Sequence, residues 1–600
     1  MARDGVREVT SGERFRAGVQ TLSQELDRSV EDVQQQAAAA IAEMSACHTA
    51  GPTWAWRRLG QHLLRNYDLR IDERTLRQLR ELDHDHTIVW LPSHRSYLDT
   101  WAAPTALHLM NFPPFYVMGG INLDFWPFGD LARRTGMVFI RRSIRDDPVY
   151  RFALREYLAH LVSQHADIGW AIEGGRSRTG KMRPPQYGLL RYLTDAVRES
   201  GADDVLLAPM SIVYDQLPEV QDMAAEARGA GKRPEDIRWL AEFMLRQRRG
   251  GGGIHIDFAD PVSLSDRLAE LDTEQDGRGH QVERVALDVC HRINRVTPIV
   301  PAAAVTIALL AADRALTLEQ LVQAVKPLNR YFERRGFAIA SSGRLDHPAL
   351  VLRTLDSLVR AGATIRFDAG REPVWGIGPE QHLVAAFYRN SALHFLVERA
   401  VAELARERGR ASEDDQQEAA WREALRLREL LKFEFFFASK DEFLANIRTE
   451  LEILDEDPEW LPLAPLALRP FLESYLVLAD CLTAMSPGHQ LHEQAFLEQC
   501  LGVGQQWLLQ RRLTSAESVS LELFKTGLAL ARHRDLEGPG DADLDRARRA
   551  FARELGDTLD LVAAVQSRVG GSPRRRTDAA AVDGAPQPAS AEQALYDVSR

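Results

Sequence analysis

The sequence lacks most of the features that mark secreted, metal-scaffolded or nucleic-acid-coating proteins. Only four cysteines occur in 600 residues, with no CxxC pair. A zinc site or a disulfide framework is therefore not expected, and a reducing cytosolic environment fits. The N-terminal residues contain no apolar stretch of the kind found in signal peptides. The formal net charge of −12 gives no global attraction to nucleic acid or anionic lipid.

Long hydrophobic runs are also scarce. The longest stretch without Asp, Glu, Lys, Arg or His covers residues 296–312 and contains Pro298 and Pro301. Its 17 residues are at the short limit for crossing a bilayer, and many of them are alanine. We therefore predict a buried helix with Pro301 in its first turn. A membrane-spanning helix is the alternative.

What is present is ordinary globular chemistry, with 45% apolar and 27% charged residues. The length predicts about two to four domains. Residues 1–80 have a helical pattern, and Trp56, Leu59, Leu63 and Leu64 fall on one helix face. This helix could lie on a membrane surface. We predict instead that it docks on the next domain, which is the commoner arrangement for an amphipathic helix.

From Thr87 the pattern changes to short β-rich runs that alternate with helical segments. This alternation predicts an α/β fold, a mixed sheet covered by helices on both faces. The predicted strands are Thr87–Pro92, Phe115–Met118, Met137–Ile140, Ile168–Ile172, Val205–Val213 and Gly253–Phe258. The predicted intervening helices are Tyr97–Met110, Pro148–Gln164, Gln186–Arg198 and Pro234–Gln247.

After Val300 the pattern is mostly amphipathic helix to about Leu561, interrupted by a predicted hairpin over residues 362–376. The last 30 residues are polar and rich in proline and alanine, which predicts disorder. We therefore divide the chain into four parts. They are a helical N-terminal segment over 1–50, an α/β domain over 51–298, a helical domain over 299–570 and a disordered tail over 571–600.

One segment contradicts the overall acidity. Residues 131–191 contain 12 Lys or Arg against five Asp or Glu. A local positive field in an acidic chain indicates a small anionic ligand or a lipid headgroup rather than a long polyanion. A solvated helix face explains Arg151 and Arg155 well. It explains Arg141 and Arg142 poorly, because they directly follow the apolar run MVFI, and arginine at a strand end suits phosphate binding.

The first candidate for chemistry is LPSHRSYLD, residues 91–99. His94 follows a predicted strand and is placed to accept a proton, while Asp99 can hold the other ring nitrogen and raise its basicity. A lone H-x4-D spacing is common by chance, but its position at a strand-to-helix turn strengthens it.

The second candidate is IEGGRSRTGK, residues 172–181. It resembles a P-loop, yet Met182 stands where the magnesium-binding hydroxyl should be and Pro184 and Pro185 oppose the required helix. Thr179 also breaks the G-x-S-x-G pattern of a nucleophilic serine. What remains is a glycine turn after a strand that suits binding of a small phosphorylated alcohol. In LAPMSIVYD, residues 207–215, Pro209 predicts an edge strand or a bend.

Together these blocks resemble the glycerol-3-phosphate acyltransferase family, in particular the bacterial PlsB-type enzymes. The match rests on HRSYLD, GINLDFWPFGDLARRTGMVFIRRS (residues 120–143), IEGGRSRTGK and LAPMSIVYD in that order. Similar blocks continue in IHIDFADPVSL, AAFYRNSALHFLVE, LLKFEFFF and SVSLELFKTGLALA. The resemblance covers roughly residues 50–535.

The resemblance implies an acyltransferase domain that moves a fatty acyl group to the 1-hydroxyl of sn-glycerol 3-phosphate. The product would be 1-acyl-sn-glycerol 3-phosphate, and the reaction would be the first step of phospholipid synthesis. Acyl-CoA or acyl carrier protein would be the donor. His94 would be the general base and Asp99 its partner. The implied substrate-binding residues are Arg142, Glu173, Gly174, Gly175, Arg176, Ser177 and Arg178.

A thioester is already activated, so one base and good positioning suffice, and we expect no metal and no cofactor. The lipid-like product predicts peripheral binding at the cytoplasmic face of the inner membrane, with Trp54–Tyr67 and Phe433–Phe437 as candidate contacts. Dihydroxyacetone phosphate or lysophosphatidate are alternative acceptors, although GINLDFWP and the long helical region favour glycerol phosphate. A catalytically silent lipid-binding scaffold is the alternative outside enzymes.

Overall fold

A mixed β-sheet forms the centre of the first half of the chain, and helices cover it. We describe a computed structural model of the protein. It describes residues 2–126, 128–141, 144, 146–200, 204–229, 236–247, 250–273, 280–340, 344–413, 415–456, 462–485, 488, 490–539 and 541–570.

The strands fall into two groups along the chain. Those before residue 264 are β1 (Tyr67–Ile71), β2 (Thr87–Pro92), β3 (Tyr116–Gly120), β4 (Met137–Ile140), β5 (Ile168–Gly169), β6 (Val205–Tyr214), β7 (Gly252–Phe258) and β8 (Val262–Ser263). Those after it are β9 (Leu316–Thr317), β10 (Ile365–Phe367) and β11 (Val374–Gly376).

Helices outnumber strands along the described chain. In the first 300 residues they are α1 (Ala2–Ser11), α2 (Glu13–Leu26), α3 (Val30–Met44), α4 (Ala50–Leu64), α5 (Glu73–Leu82), α6 (Asp99–Leu109), α7 (Phe128–Arg133), α8 (Pro148–Ser163), α9 (Gly188–Ser200), α10 (Val220–Ala227), α11 (Ile237–Gln247), α12 (Leu264–Thr273) and α13 (Gln281–Val296). After residue 300 they are α14 (Pro301–Ala312), α15 (Leu318–Arg335), α16 (Pro348–Arg360), α17 (His382–Asn390), α18 (His394–Arg410), α19 (Gln416–Leu431), α20 (Lys440–Glu456), α21 (Ala464–Ala467), α22 (Arg469–Thr483), α23 (Glu493–Leu509), α24 (Leu521–His533) and α25 (Ala542–Gly570).

Within the described residues the large sheet has eight strands in the order β1-β7-β6-β2-β5-β3-β4, with β8 also paired to β6. Strands β6, β2, β5, β3 and β4 are mutually parallel. Strand β7 runs antiparallel to β6, and β1 runs parallel to β7. The carboxyl ends of the five parallel strands therefore meet at one edge of the sheet, where open α/β sheets bind ligands.

The two faces of the sheet bury different helices because side chains alternate along each strand. Val89 and Leu91 of β2 belong to the apolar cluster that includes α2, α3, α8, α9 and α13. Ile88 and Trp90 belong to the other cluster, which includes α4 and α6 and continues without a break into the helical region after residue 300. The predicted mixed sheet flanked by helices, followed by a large helical region, is confirmed.

The apolar run over residues 296–312 forms helix α14, with Pro301 in its first turn, as predicted. Most of its side chains are buried, because the surrounding helices cover it on all sides. Among the described residues, none of the helices combines the length and the apolar character that a membrane span requires.

Two local predictions are wrong. Residues 67–71 form strand β1 rather than continuing a helix, and they pair in parallel with β7. Strand β6 lies inside the sheet, so Pro209 does not mark an edge strand. On one side of β6, Pro209 is opposite Leu91 of β2. On the other side, Pro209 lies between the residues that pair with β8 and those that pair with β7. The sheet therefore needs no N–H donor at this position, and proline is tolerated.

The predicted hairpin over residues 362–376 is confirmed as β10 and β11, which pair antiparallel. The Phe433–Phe437 cluster packs mainly inside the helical region, because Phe435 contacts Phe471 and Phe437 contacts Phe443. The predicted disordered tail over residues 571–600 lies outside the described residues.

The helical region contacts the glycine turn that follows β5. The Asn390 side chain donates to the carbonyl of Thr179 at 2.8 Å, and Lys181 forms an ion pair with buried Glu434 at 2.6 Å. Gly180 has φ +81°, and a Cβ built there would lie 1.9 Å from the Phe387 carbonyl oxygen. Only glycine fits this close approach of two backbones.

Candidate active site

The H-x4-D motif is located where the fold predicts a ligand site, at the carboxyl end of the parallel strands. The apolar run of β2 is buried to its end, and the chain then leaves the sheet in a turn that carries His94. Asp99 is the first residue of helix α6, where the partial positive charge of a helix N-terminus favours a carboxylate. The two side chains therefore meet across one turn.

The His94 and Asp99 side chains form a hydrogen-bonded pair. His94 Nδ1 lies 2.8 Å from Asp99 Oδ2. The same oxygen accepts from the backbone N–H groups of Arg95 (2.8 Å) and Ser96 (2.9 Å), and Oδ1 accepts from the Tyr214 hydroxyl. Asp99 is 7% exposed and His94 24% exposed. The carboxylate is thus held by four donors, while the imidazole reaches solvent.

This arrangement assigns the histidine tautomer. Because Asp99 is an acceptor, the hydrogen-bond network places a proton on His94 Nδ1. The Nε2 atom then carries the lone pair and can accept a proton from a substrate hydroxyl. Asp99 would stabilise the imidazolium that results.

Glu173 connects the exits of β2 and β5. Its Oε1 accepts from the His94 backbone N–H at 2.8 Å, and its Oε2 accepts from that of Arg183 at 2.7 Å. The Ser177 N–H donates to the His94 carbonyl at 2.9 Å, so the two loops are bonded in both directions. Burial raises the pKa of the Glu173 carboxyl, and the neighbouring Arg95 guanidinium opposes that rise. Both oxygens are occupied by main-chain donors, which indicates that Glu173 shapes the site.

The glycine turn itself is tightly bonded. Gly174 has φ +64°, and a Cβ there would lie 2.5 Å from the Gln186 side chain. Ser177 is fully buried, and its hydroxyl donates to the Lys181 carbonyl. Of the predicted binding residues in this turn, Arg176 and Arg178 are those whose charged side chains stay partly exposed.

The arginines of the turn are positioned by aromatic and acidic neighbours. The Arg176 guanidinium lies 3.9 Å from the centre of the Tyr97 ring. It also lies close enough to buried Glu219 to oppose the rise in that carboxyl's pKa that burial causes. Arg178 Nε donates to Glu226 at 2.6 Å. Both cations are therefore held at the mouth of the site rather than moving freely in solvent.

Of the two arginines that follow β4, Arg141 lies within the described residues. Arg141 forms an ion pair with Glu43 of helix α3, at 2.9 Å from Nε to Oε1, and lies over the Tyr150 ring. This contact ties the N-terminal helices to the edge of the sheet. Arg142, predicted to bind substrate, lies outside the described residues.

Sequence reasoning missed two residues that contact the motif. The Tyr214 hydroxyl donates to Asp99, and burial raises the pKa of that phenol well above its usual value. Glu219 accepts from the Ser96 hydroxyl at 2.6 Å. Their positions in the sequence could have indicated this role. Both residues lie at or just after the carboxyl end of β6, the strand next to β2.

An apolar pocket lies along helix α6, and its lining includes neither His94 nor Asp99. Thr100 and Trp101, which follow Asp99 on α6, line one part of it. The pocket follows α6 toward the amino ends of β3 and β4, at Val117 and Met137. Its other lining residues are His48, Thr53, Trp56, Arg57, Gln61, Pro104, Thr105, Leu107, His108, Phe112, Pro113, Pro114, Phe115 and Thr135. A pocket lined this way suits a long apolar ligand.

Metal ligation was not expected from the sequence. Within the described ranges, no three His, Cys, Asp or Glu side chains are grouped so that they could hold a metal ion.

Comparison with known families gives two matches that together cover most of the chain. Residues 72–213 match the family model described as Acyltransferase. Residues 223–538 match the model described as the glycerol-3-phosphate acyltransferase C-terminal region. The first range contains every predicted site residue, and the second contains the helical region that contacts the glycine turn.

Similar proteins are found among curated bacterial sequences. A Mycobacterium tuberculosis protein that carries the name acyltransferase plsB1 is 45% identical over 568 residues, covering 90% of each chain. A Mycobacterium bovis protein with the same name is equally similar. A Histophilus somni protein named glycerol-3-phosphate acyltransferase is 29% identical over 355 residues, covering 57% of this chain and 42% of that protein.

The role of Glu173 can be tested without any ligand. Glutamine has one carbonyl oxygen, so Glu173→Gln leaves one of the two buried N–H donors facing an amide NH2. We expect a loss of roughly 2–3 kcal/mol in the free energy of unfolding. Thermal denaturation of the ligand-free protein measures this loss.

A surface pair provides the control for Glu173→Gln. Glu73 forms an exposed i,i+4 ion pair with Arg77, so Glu73→Gln should change stability by less than about 0.5 kcal/mol. If Glu173→Gln were as stable as this control, the bridge between the loops would not be needed for folding.

Proposed function

Since the chain belongs to the glycerol-3-phosphate acyltransferase family and is an acyltransferase, we propose that its acceptor is sn-glycerol 3-phosphate. The donor is a fatty acyl thioester, acyl-CoA or acyl carrier protein, and the product is 1-acyl-sn-glycerol 3-phosphate. The observation that carries the proposal is the His94–Asp99 pair beside a turn with two half-buried arginines. A base and an anion site at one sheet edge match an acceptor that carries both a hydroxyl and a phosphate.

The chemical step needs one base. His94 Nε2 takes the proton from the 1-hydroxyl as the oxygen attacks the thioester carbonyl carbon, and a tetrahedral oxyanion forms. When this intermediate collapses, the C–S bond breaks and the imidazolium returns its proton to the leaving thiolate. Asp99, which four donors hold, keeps the imidazole in place while the proton moves.

The phosphate is the natural ligand of the cations at this edge. Arg176 and Arg178 follow the glycine turn, and their guanidinium groups can donate paired hydrogen bonds to phosphate oxygens. Arg142 is assigned the same role from the family motif. Glu173 and Ser177 contribute by fixing the turn against the His94 loop.

The pocket along α6 is proposed to hold the acyl chain. Its lining begins at Thr100, the residue after Asp99 on α6, and ends near Val117 and Met137, toward the amino ends of β3 and β4. The 11 residues of α6 give a length of about 16 Å. An acyl chain that enters this pocket at Thr100 would have its thioester toward the end of α6 that begins with Asp99.

Membrane association is proposed to be peripheral, at the cytoplasmic face of the inner membrane. Three large apolar side chains are exposed: Trp54 (65%), Leu109 (60%) and Trp126 (82%). Trp54 and Leu109 directly follow Thr53 and His108, which line the pocket. Arg58 lies over the Trp54 ring at 5.8 Å, and Arg57 lines the pocket. Tryptophans beside arginines suit the interface of an anionic bilayer, where an acyl chain could pass between lipid and pocket.

The reaction and its base are tested by one comparison. Purified protein with vesicles, labelled glycerol 3-phosphate and palmitoyl-CoA should give labelled 1-acylglycerol 3-phosphate. His94→Ala should lower kcat by about 10²- to 10⁴-fold with little change in the KM for glycerol 3-phosphate. Asp99→Asn should also lower kcat, because the imidazole loses its fixed tautomer.

The control is His84→Ala, which removes an exposed His–Asp contact at 2.9 Å outside the site. It should keep full activity. If product formed with dihydroxyacetone phosphate or lysophosphatidate but not with glycerol 3-phosphate, the proposed acceptor would be wrong. Equal activity of wild type and His94→Ala would remove His94 as the base.

The acyl pocket is tested by narrowing its far end. Val117→Phe should lower kcat/KM for palmitoyl-CoA by about tenfold and leave octanoyl-CoA nearly unchanged, because a short chain does not reach Val117. Val30→Phe, at an exposed valine outside the pocket, is the matched control. An equal loss for both chain lengths would contradict this placement.

The membrane surface is tested by sedimentation with vesicles that contain anionic lipid. The double variant Trp54→Ser and Trp126→Ser should bind about tenfold more weakly, since two interfacial aromatic side chains are lost. Leu509→Ser serves as the control, because Leu509 is 77% exposed on α23 but lies outside the pocket region. Equal binding by both variants would place the contact elsewhere.

A further inference from the structure

The anion site at the glycine turn already contains an internal anion that comes from the C-terminal helical region. Glu522, at the start of α24, lies 3.9 Å from Arg178 (Oε1 to Nη1) and 3.5 Å from Arg183 (Oε2 to Nη2). Lys525, one turn further along α24, lies 3.6 Å from Glu522 Oε1. Three cations from two regions of the chain thus surround one carboxylate.

The location of this cluster connects it to the catalytic pair. The backbone N–H of Arg183 and that of His94 bond to the two oxygens of the same carboxylate, Glu173. Arg178 follows Ser177, whose N–H donates to the His94 carbonyl. Arg178 and Arg183 therefore lie on the loop after β5, which is bonded to the loop that carries His94, whereas Lys525 lies on α24.

The contacts of Glu522 are loose compared with the other ion pairs of the cluster. Arg178 also pairs with Glu226 at 2.6 Å, which is a normal charge-assisted hydrogen bond. Glu522 makes no ion-pair contact shorter than 3.5 Å within the described residues, and 18% of its side chain is exposed. A carboxylate at such distances neutralises the cations without saturating their hydrogen-bond donors.

We propose that Glu522 is a counter-ion that the phosphate of the acceptor displaces, and that Arg183 and Lys525 complete the phosphate site. The inference rests on the proposed function and deepens it. A dianionic phosphate carries more charge and more acceptor oxygens than one carboxylate, so it gains more from the same three cations. The C-terminal region thereby sets the affinity for the acceptor. Before the acceptor binds, Glu522 compensates the positive charge of the three cations.

Two substitutions on α24 make opposite predictions. Glu522→Gln removes the competing charge and should lower the KM for glycerol 3-phosphate by about three- to tenfold, with kcat within about twofold of wild type. Lys525→Met removes a phosphate partner and should raise the same KM by about three- to tenfold. The KM for palmitoyl-CoA should not change in either variant.

Glu537→Gln is the matched control for these variants. Glu537 pairs at 2.7 Å with Arg532, which lies at the opposite end of α24, about 15 Å from Glu522 along the helix axis. The substitution removes an ion pair of α24 that lies away from the glycine turn and should leave the KM for glycerol 3-phosphate unchanged.

A binding measurement separates this inference from the proposed function. Calorimetric titration with inorganic phosphate needs no turnover, and Glu522→Gln should bind phosphate about three- to tenfold more tightly than wild type. If no acceptor yields product but this difference is seen, the proposed function fails and the counter-ion role stands. If product forms but Glu522→Gln has an equal or higher KM and no gain in phosphate affinity, Glu522 is not a displaced counter-ion and the inference is overturned.

Discussion

The active-site edge depends on one buried carboxylate that bonds to two backbone N–H groups. Glu173 joins the loop after β2, which carries His94, to the loop after β5, which carries the arginines. A buried carboxylate is stable only when its charge is compensated, and here Arg95 and the two N–H donors provide that compensation. The His94 loop and the glycine turn are therefore bonded to each other, which gives the proposed base and the proposed anion site a defined relative position.

The helical region after residue 300 is part of the same arrangement. It contacts the glycine turn through Asn390, through Glu434 and through the backbone of Phe387, which leaves room only for Gly180. One apolar cluster runs from the sheet into these helices. The glycine turn is thus in contact with the sheet on one side and with the helical region on the other. These contacts explain why a segment rich in glycine and arginine can hold a defined conformation.

Local patterns predicted the fold where a single element decides its own conformation. The strand over 87–92 and the helix from Pro301 follow from apolar run length and proline position, and both are observed. Strand β1 was missed because its five residues become a strand only by pairing with β7, about 185 residues later along the chain. Pro209 was misjudged for the same reason, since a change of strand partner on one side of β6 cannot be read from neighbouring residues.

The sequence by itself determined which residues could do the chemistry: a histidine and an aspartate five residues apart at a strand exit, and a basic glycine turn after another strand. Motif spacing carries that information because a short loop between a strand and a helix keeps residues five positions apart within reach of each other. Only the tertiary structure decided how they are supported. The bonds from Tyr214 to Asp99 and the contacts of Glu522 with Arg178 and Arg183 join positions more than 100 residues apart. Hydrogen bonds and charges act over a few ångströms in space, so such partners exist only once the chain has folded.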